Sequence, residues 1–551
     1  MKKLFNKEFF WLCLIWVVAF ALVLPLLKPG FYPFHDEPHI ANLYQMARAI
    51  ESGQLPPRWG PDFSYNFGYP FFVFYYPLPF YLGAFFNLVF GLNLIWSLKL
   101  VFLFSLPLSA TFFYFLARKF FNCEGSFVAS VIYLLTPYRA VDLYVRGAVG
   151  ELWSFVFMPA VLLTFFNLIQ KRTLKSVTIA GLSLAALVLS HNLSAIIFLP
   201  FVLIFCLALI FKEKNKIYGL VSSALGGLLG LAISAYYWLP AVWEKQFVQS
   251  GTPFNPFDHF PFIKQLITPF WGYGASVWGP HDGLSFQIGI VNLLAVLLGF
   301  LLFVLRKKLF DQKRQVLFLF LAFSFLLCLF LMNIRSGFIW KILPLGSYVQ
   351  FPWRFLLLTT LFSSLFVGFL EAIPKLGKKI VLLFAVLAFV LNFQYFKPEK
   401  TVLVDDNHYL DIMFAGSEKY TNYSEDYLPL TVWTQERPSS LPLNKIEVIE
   451  GEVEYQEKTP IHFIAQVTSE KQTSLVLHQY YFPGWQAKVD GQRVDLQINK
   501  PHGDILIPLD QGNHQVEIWF GRSGVRLISE IISLGTVLIL LAAFTWKKIK
   551  K

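Results

Sequence analysis

The feature that most constrains this chain is a succession of apolar runs, each about as long as a lipid bilayer is thick. A helix needs roughly 20 apolar residues to cross about 30 Å of hydrocarbon. Such runs recur near 9–27, 98–117, 126–137 (extended by flanking residues), 153–169, 176–190, 193–211, 217–237, 286–305, 315–332, 353–372, 379–396 and 527–546. The chain is 56% hydrophobic and 15% charged, a balance that excludes an ordinary soluble globular protein. The expected fold class is a polytopic α-helical membrane protein of about 12 spans.

The net charge of +12 is explained by where the basic residues fall. With the N-terminus inside, Lys2, Lys3, Lys7, Arg118, Lys119, Lys171, Arg172, Lys175, Lys212, Lys214 and Lys216 are all cytoplasmic. So are Arg306, Lys307, Lys308, Lys313, Arg314, Lys375, Lys378, Lys379 and the terminal Lys547–Lys551 cluster. Lys and Arg collect in cytoplasmic loops, so both termini are expected inside and no nucleic-acid partner is needed. A full span at 70–90 would move the later clusters to the other side. That segment, Tyr69-Pro-Phe-Phe-Val-Phe-Tyr-Tyr76-Pro-Leu-Pro79, is therefore read as interfacial, which suits its prolines and tyrosines. The basic start followed by an apolar run has no small-residue cleavage site before Lys28, so an uncleaved first span is expected. Cys13, Cys206 and Cys328 lie in apolar runs and Cys123 in a short loop. No disulfide framework or CxxC metal signature follows from that pattern.

This topology places 28–97, 138–152, 238–285 and 333–352 outside, together with a longer segment, 397–525. The expected division is a transmembrane domain over 1–396 with a first external loop at 28–97, an external β-rich domain over 397–525, and a last span with a basic cytoplasmic tail over 526–551. The β assignment rests on alternating stretches such as Ser474-Leu-Val-Leu-His478 and Gln515-Val-Glu-Ile-Trp-Phe520. Asp490-Gly491 is a hairpin signal, and short strands at regular intervals favour a sandwich.

Polar residues gather at the external ends of the spans. The first loop carries His35-Asp36-Glu37-Pro38-His39 and Leu55-Pro-Pro-Arg58-Trp59. Two adjacent carboxylates resist joint ionisation, an arrangement suited to taking a proton or facing a cation. A helix cap at Asp36 accounts for the same residue without chemistry. Glu151, in Arg146-Gly-Ala-Val-Gly-Glu151, is explained equally by a helix-start carboxylate or by a metal site completed with Asp36. His191-Asn192 closes a span on the same side, as an interface residue pair or as ligand-binding groups. Arg354, in Gln350-Phe-Pro-Trp-Arg354, either snorkels to headgroups or grips a phosphate through two parallel hydrogen bonds.

Taken together, these phrases resemble the polyprenol-dependent glycosyltransferases of the C superfamily (GT-C). More closely, the chain is similar to the bacterial membrane family labelled "6-pyruvoyl-tetrahydropterin synthase related". The shared phrases also include Ser190-His-Asn-Leu193 and Trp238-Leu-Pro-Ala241, with Tyr480-Tyr-Phe-Pro-Gly-Trp485 and Val489-Asp-Gly491 extending the likeness to the terminal domain. The pterin label has no support in the residues, since no zinc-binding histidine set is present. The resemblance implies a plasma-membrane glycosyltransferase that moves a sugar from a polyprenyl-phosphate donor, among membrane lipids, to an extracytoplasmic glycan, lipid or protein. It implies Asp36 as general base supported by Glu37, with His39, Arg58, Arg146, His191, Asn192 and Arg354 around the substrate. It allows a divalent cation, Mg or Mn, at Asp36 and Glu151, and no nucleotide or organic cofactor is expected.

Two other functions are open to a chain of this kind. A transporter or lipid flippase usually buries ionisable residues mid-membrane and shows inverted repeats; these spans are almost free of charge. A non-catalytic envelope scaffold would depend on the β-domain and tolerate loss of Asp36.

Overall fold

The computed structural model describes residues 2–249, 255–343, 345–414 and 430–549. Among them, ten helices are long and apolar enough to cross a membrane, from Lys7–Leu27 to Gly524–Trp546. Two further runs expected to span form shorter apolar helices, Cys123–Leu135 and Leu174–Ser190. Thr136-Pro137 ends the first of these, because a residue before proline is pushed out of helical geometry; Thr136 is extended (φ −61°, ψ 133°). His191, also extended, ends the second. Residues 70–90 contain a 13-residue helix, Leu78–Phe90, too short to cross unaided.

The chain divides into two compact units that do not follow chain order. The first comprises Met1–Glu37, Lys99–Ile233 and Thr252–Leu403. Its helices Val149–Lys171 and Pro352–Ala372 are the most enclosed. Leu174–Ser190 packs closely on Lys216–Ile233 through glycines: a Cβ at Gly181 would meet Leu229, and one at Gly230 would meet Leu184. Small residues at such contacts let helix backbones approach, which strengthens packing where lipid supplies no hydrophobic drive. The helix starts are capped locally. Thr173 and Ser176 form a reciprocal capping box, and Asp311 accepts from the Arg314 amide at 2.8 Å, satisfying donors that a helix N-terminus leaves unpaired.

The second unit comprises Pro38–Leu98, Ser234–Gly251 and Val404–Lys551. It contains two antiparallel sheets built from β1 (Ile446–Val448), β2 (Glu452–Thr459), β3 (His462–Ser469), β4 (Thr473–Tyr480), β5 (Trp485–Val489), β6 (Gln492–Val494), β7 (Gln497–Asn499), β8 (Asp504–Leu509) and β9 (Gly512–Phe520). One sheet runs β1-β4-β8-β7 and the other β2-β3-β9-β5-β6. Alternate residues form the core: Leu475, Leu477, Ile505 and Ile507 from one sheet, Phe463, Ala465, Val516 and Ile518 from the other, all fully buried. The expected sandwich is present, and the Asp490-Gly491 hairpin joins β5 to β6 with positive φ at both residues (51° and 82°), as a tight primed turn requires. Asp406 caps the helix that starts at Leu94, accepting from the amides of Leu94 (2.6 Å) and Ile95 (3.0 Å).

Two ion pairs tie the helix Gly524–Ile549 into this unit, one buried and one partly buried. Arg526 and Glu244 are each 1% exposed and meet at 2.9 Å; Arg526 also donates to the Pro483 carbonyl. Arg58 donates to the Tyr236 carbonyl at 2.7 Å and pairs with Glu530 at 3.2 Å. Trp59, fully buried, donates its indole N–H to Gln479 Oε1 at 2.8 Å and packs on Trp485 and Phe520.

Candidate functional site

In the first unit, the chain leaving the first span is pinned by its backbone. The amide of His35 donates to the Val145 carbonyl at 3.0 Å and that of Asp36 to the Arg146 carbonyl at 2.9 Å. His35 Nε2 lies 3.0 Å from the Tyr273 carbonyl. The fit depends on Gly147, which adopts φ +67° and whose absent Cβ leaves room for the Phe34 ring. Asp36 and Glu37 are half-buried. The next helix begins only at His39, with Pro38 at its cap and no side-chain cap bond. Asp36 therefore does not occupy the N-cap position of that helix.

Arg146 ends a short π-helical segment, Val141–Arg146, a geometry that recurs at functional sites. Its guanidinium spans two carboxylates, Asp142 at 2.6 Å and Glu151 at 2.9 Å. It also donates to the Tyr138 hydroxyl at 3.2 Å and lies over the Trp353 ring at 4.8 Å. Tyr138 in turn donates to Glu151 at 2.8 Å. Arg354 Nε stands 3.6 Å from Glu151. Its Nη1 donates to the Val349 carbonyl and to Gln350 Oε1, both at 3.0 Å, leaving Nη2 without a hydrogen bond to a described residue. Burial, and then the Glu151 carboxylate, push Asp142 well above the usual carboxylate range.

His191 belongs to the same unit. Its Nδ1 accepts from the Ser194 amide at 3.3 Å, capping the helix Asn192–Ile210. Asn192 is half-buried and accepts from the Leu193 amide at 3.0 Å. The first unit thus contains Asp36, Glu37, Arg146, Glu151, His191, Asn192 and Arg354. His39 and Arg58 belong to the second. There His39 is 1% exposed against the Phe80 ring, and Arg58 is committed to Tyr236 and Glu530. Asp142, Tyr138 and Trp353 escaped the sequence reading. For Asp142 the signal available was its i,i+4 spacing to Arg146.

The donor set does not fit a resident divalent cation. Both oxygens of Glu151 are engaged, one by Arg146 and the other by Tyr138. Among the described residues no three His, Cys, Asp or Glu side chains converge. No step below uses a metal.

Comparison with known proteins adds the following. An uncharacterized protein of Lactococcus lactis subsp. cremoris (strain MG1363) is 26% identical over 251 residues, covering 43% of this chain; the chain spans 40% of the length of that relative. The arabinofuranosyltransferase AftD from Mycobacteria is 13% identical, with a TM-score of 0.47 over 74% of this chain and 29% of its own. The oligosaccharyltransferase AglB from Archaeoglobus fulgidus, in complex with an inhibitory peptide and a dolichol-phosphate, is 14% identical, with a TM-score of 0.49 over 79% of this chain and 60% of its own. The model of the 6-pyruvoyl-tetrahydropterin synthase related domain, described as a membrane protein, matches residues 72–397, and the chain belongs to that family.

Proposed function

We propose that this chain is a membrane glycosyltransferase of the GT-C type, moving a sugar from a polyprenyl-phosphate donor to an extracytoplasmic acceptor. It would sit in the plasma membrane of a bacterium with both termini cytoplasmic. The observation that carries the reading is the tether of Asp36 to Arg146, which holds the backbone of a half-buried carboxylate against that of a guanidinium paired with two carboxylates.

In this reading Asp36 takes the proton of an acceptor hydroxyl. The resulting oxygen attacks the anomeric carbon, the bond from that carbon to the phosphate oxygen breaks, and polyprenyl phosphate departs. Glu37 stands beside it in the chain and is half-buried like it. Arg354 receives the charge developing on the phosphate through Nη2, with Glu151, Gln350 and the Val349 carbonyl holding its plane. Preorganised donors of this kind act where charge appears, at little reorganisation cost. Arg146 organises the cluster, its Nη1 bonded to Tyr138 and Asp142 and its Nη2 paired with Glu151. The β-sandwich positions or recognises the acceptor.

The test is Asp36→Asn in reconstituted membranes, assayed for transfer from a labelled polyprenyl-phosphate sugar. Asn keeps the size and removes the base, so transfer should fall by roughly a hundredfold or more while expression and melting temperature hold. Full activity in that variant overturns the assignment.

A further inference from the structure

At the far end of the helix that His191 caps, the first unit has an apolar groove of about 450 Å³. Helix Asn192–Ile210 lines it from Leu199 to Ile210, and helix Lys216–Ile233 lines it with Leu220, Ala224 and Gly227. At 1.5 Å per residue the helical lining runs about 17 Å, close to the depth of one leaflet, half of the roughly 30 Å hydrocarbon core. Its wall is almost wholly hydrocarbon, and Leu203, Leu207, Leu220 and Val221 are each 46–60% exposed along it. Cys206, within the groove, lies 15 residues from His191, roughly 22 Å along the helix. The groove is therefore separate from the candidate site.

Its mouth is basic. Beyond Ile210 the chain turns through Phe211, and the ammonium groups of Lys212 and Lys216 both lie over that ring, at 5.5 and 4.8 Å. The one acid in the turn, Glu213, is taken up by Arg172 at 2.8 Å and Gln170 at 3.1 Å. Among the described residues no carboxylate pairs with Lys212 or Lys216, so two converging cations stand uncompensated at the end of a single-leaflet apolar channel.

We infer that this groove binds one acyl chain of an anionic phospholipid, with the headgroup phosphate held by Lys212 and Lys216. Basic residues at a membrane surface each favour anionic lipid, and the channel depth selects a chain from the near leaflet. Gly227 offers a clean probe, because a Cβ there meets nothing within 4 Å. A larger side chain can fill the groove without striking the backbone.

The experiment is native mass spectrometry of the full chain, delipidated in detergent and titrated with phosphatidylglycerol or phosphatidylcholine. The wild type should retain phosphatidylglycerol about tenfold more strongly. Gly227→Phe should lose retention of both lipids. Lys212→Ala with Lys216→Ala should reduce phosphatidylglycerol to the level of phosphatidylcholine while leaving the apolar groove intact. Both lysines are exposed, so the double variant decides the matter if Gly227→Phe does not fold. Equal retention of the two lipids by the wild type overturns the inference. So does unchanged retention in the double variant, or a wild-type dimer that Gly227→Phe dissociates, which would make a second copy the occupant.

Discussion

The amide of Asp36 donates to the carbonyl of Arg146 at 2.9 Å. This bond joins residues 110 positions apart and makes the first-loop acid and the guanidinium cluster one rigid feature of the first unit.

Gly147→Ala should expose that coupling. The residue holds φ +67° and its Cβ would run into the Phe34 ring, a combination of backbone strain and overpacking that costs about 1–3 kcal/mol. Because a displacement of about 1 Å at a reacting group can cost about a hundredfold, activity should fall much further than stability. Transfer rate and melting temperature measured side by side check this. Activity that tracks the stability loss alone would show that the Phe34–Gly147 contact does not position Asp36.

Arg354→Lys keeps the charge and removes the planar fork. Lysine has no second nitrogen to offer the donor while the first bonds Val349 and Gln350. Donor affinity should weaken by about tenfold, with the maximal rate less affected, as read from the donor concentration dependence of transfer. An unchanged dependence would remove Arg354 from the phosphate role.

Glu244→Leu leaves the Arg526 guanidinium buried without its carboxylate, and breaking a buried pair in this way costs about 3–5 kcal/mol. Replacing both members, Glu244→Leu with Arg526→Leu, should recover much of that loss, since well-packed apolar residues often replace a buried ion pair without penalty. Thermal unfolding of the wild type, the single variant and the double variant measures the difference.

Membrane sidedness is checked with single cysteines in a background lacking Cys13, Cys123, Cys206 and Cys328. Glu51→Cys and Gln472→Cys, both at exposed positions, should react with a membrane-impermeant maleimide in intact cells. Lys214→Cys should react only after permeabilisation. Reaction of Glu51→Cys from the cytoplasm alone would move the candidate site to the other face.

The exposed pair in the β-sandwich has its own pH signature. The bond from His514 holds Asp490 below the usual carboxylate range, and Asp490 in turn raises His514. A depressed carboxylate stabilises above its unfolded value near 3.8 and loses that contribution as pH falls. A raised imidazole stabilises below its unfolded value near 6.5 and loses its contribution as pH rises through the folded value. The pair should therefore contribute most between about pH 4 and 6.5, and His514→Gln should flatten that profile. Nuclear magnetic resonance titration of His514 in the full chain, with and without Asp490→Asn, measures the shift.

The spans were legible because a helix in lipid must satisfy its own backbone, which demands long apolar runs that few other structures need. Their ends were less so: Thr136-Pro137 and His191 shorten two helices at points where hydropathy alone continues. The Asp490-Gly491 turn was legible because few residue pairs tolerate positive φ twice. At the site, the acids were visible but their partners were not. Whether Asp36 caps a helix depends on where the helix starts, and that is set by Pro38. The commitment of Arg58 depends on Glu530, 472 residues away, a pairing that no local pattern announces. Asp142 stands four residues from Arg146, a spacing at which helical side chains meet, but nothing local announces that Glu151 and Arg354 join them.

The indole of Trp59 waits on residues that the ribosome adds long after it. Its bond to Gln479 and its contacts with Trp485 and Phe520 require more than 400 further residues to be synthesised. At roughly 5–20 residues per second, that is on the order of a minute during which a large aromatic side chain of the first loop lacks these three partners. The final helix, anchored by Arg526 and Glu530, arrives later still. For this protein, completion of the second unit is therefore a late event in biogenesis, and a ribosome that stops short of the β-sandwich leaves behind a chain whose earliest loop is still unfinished.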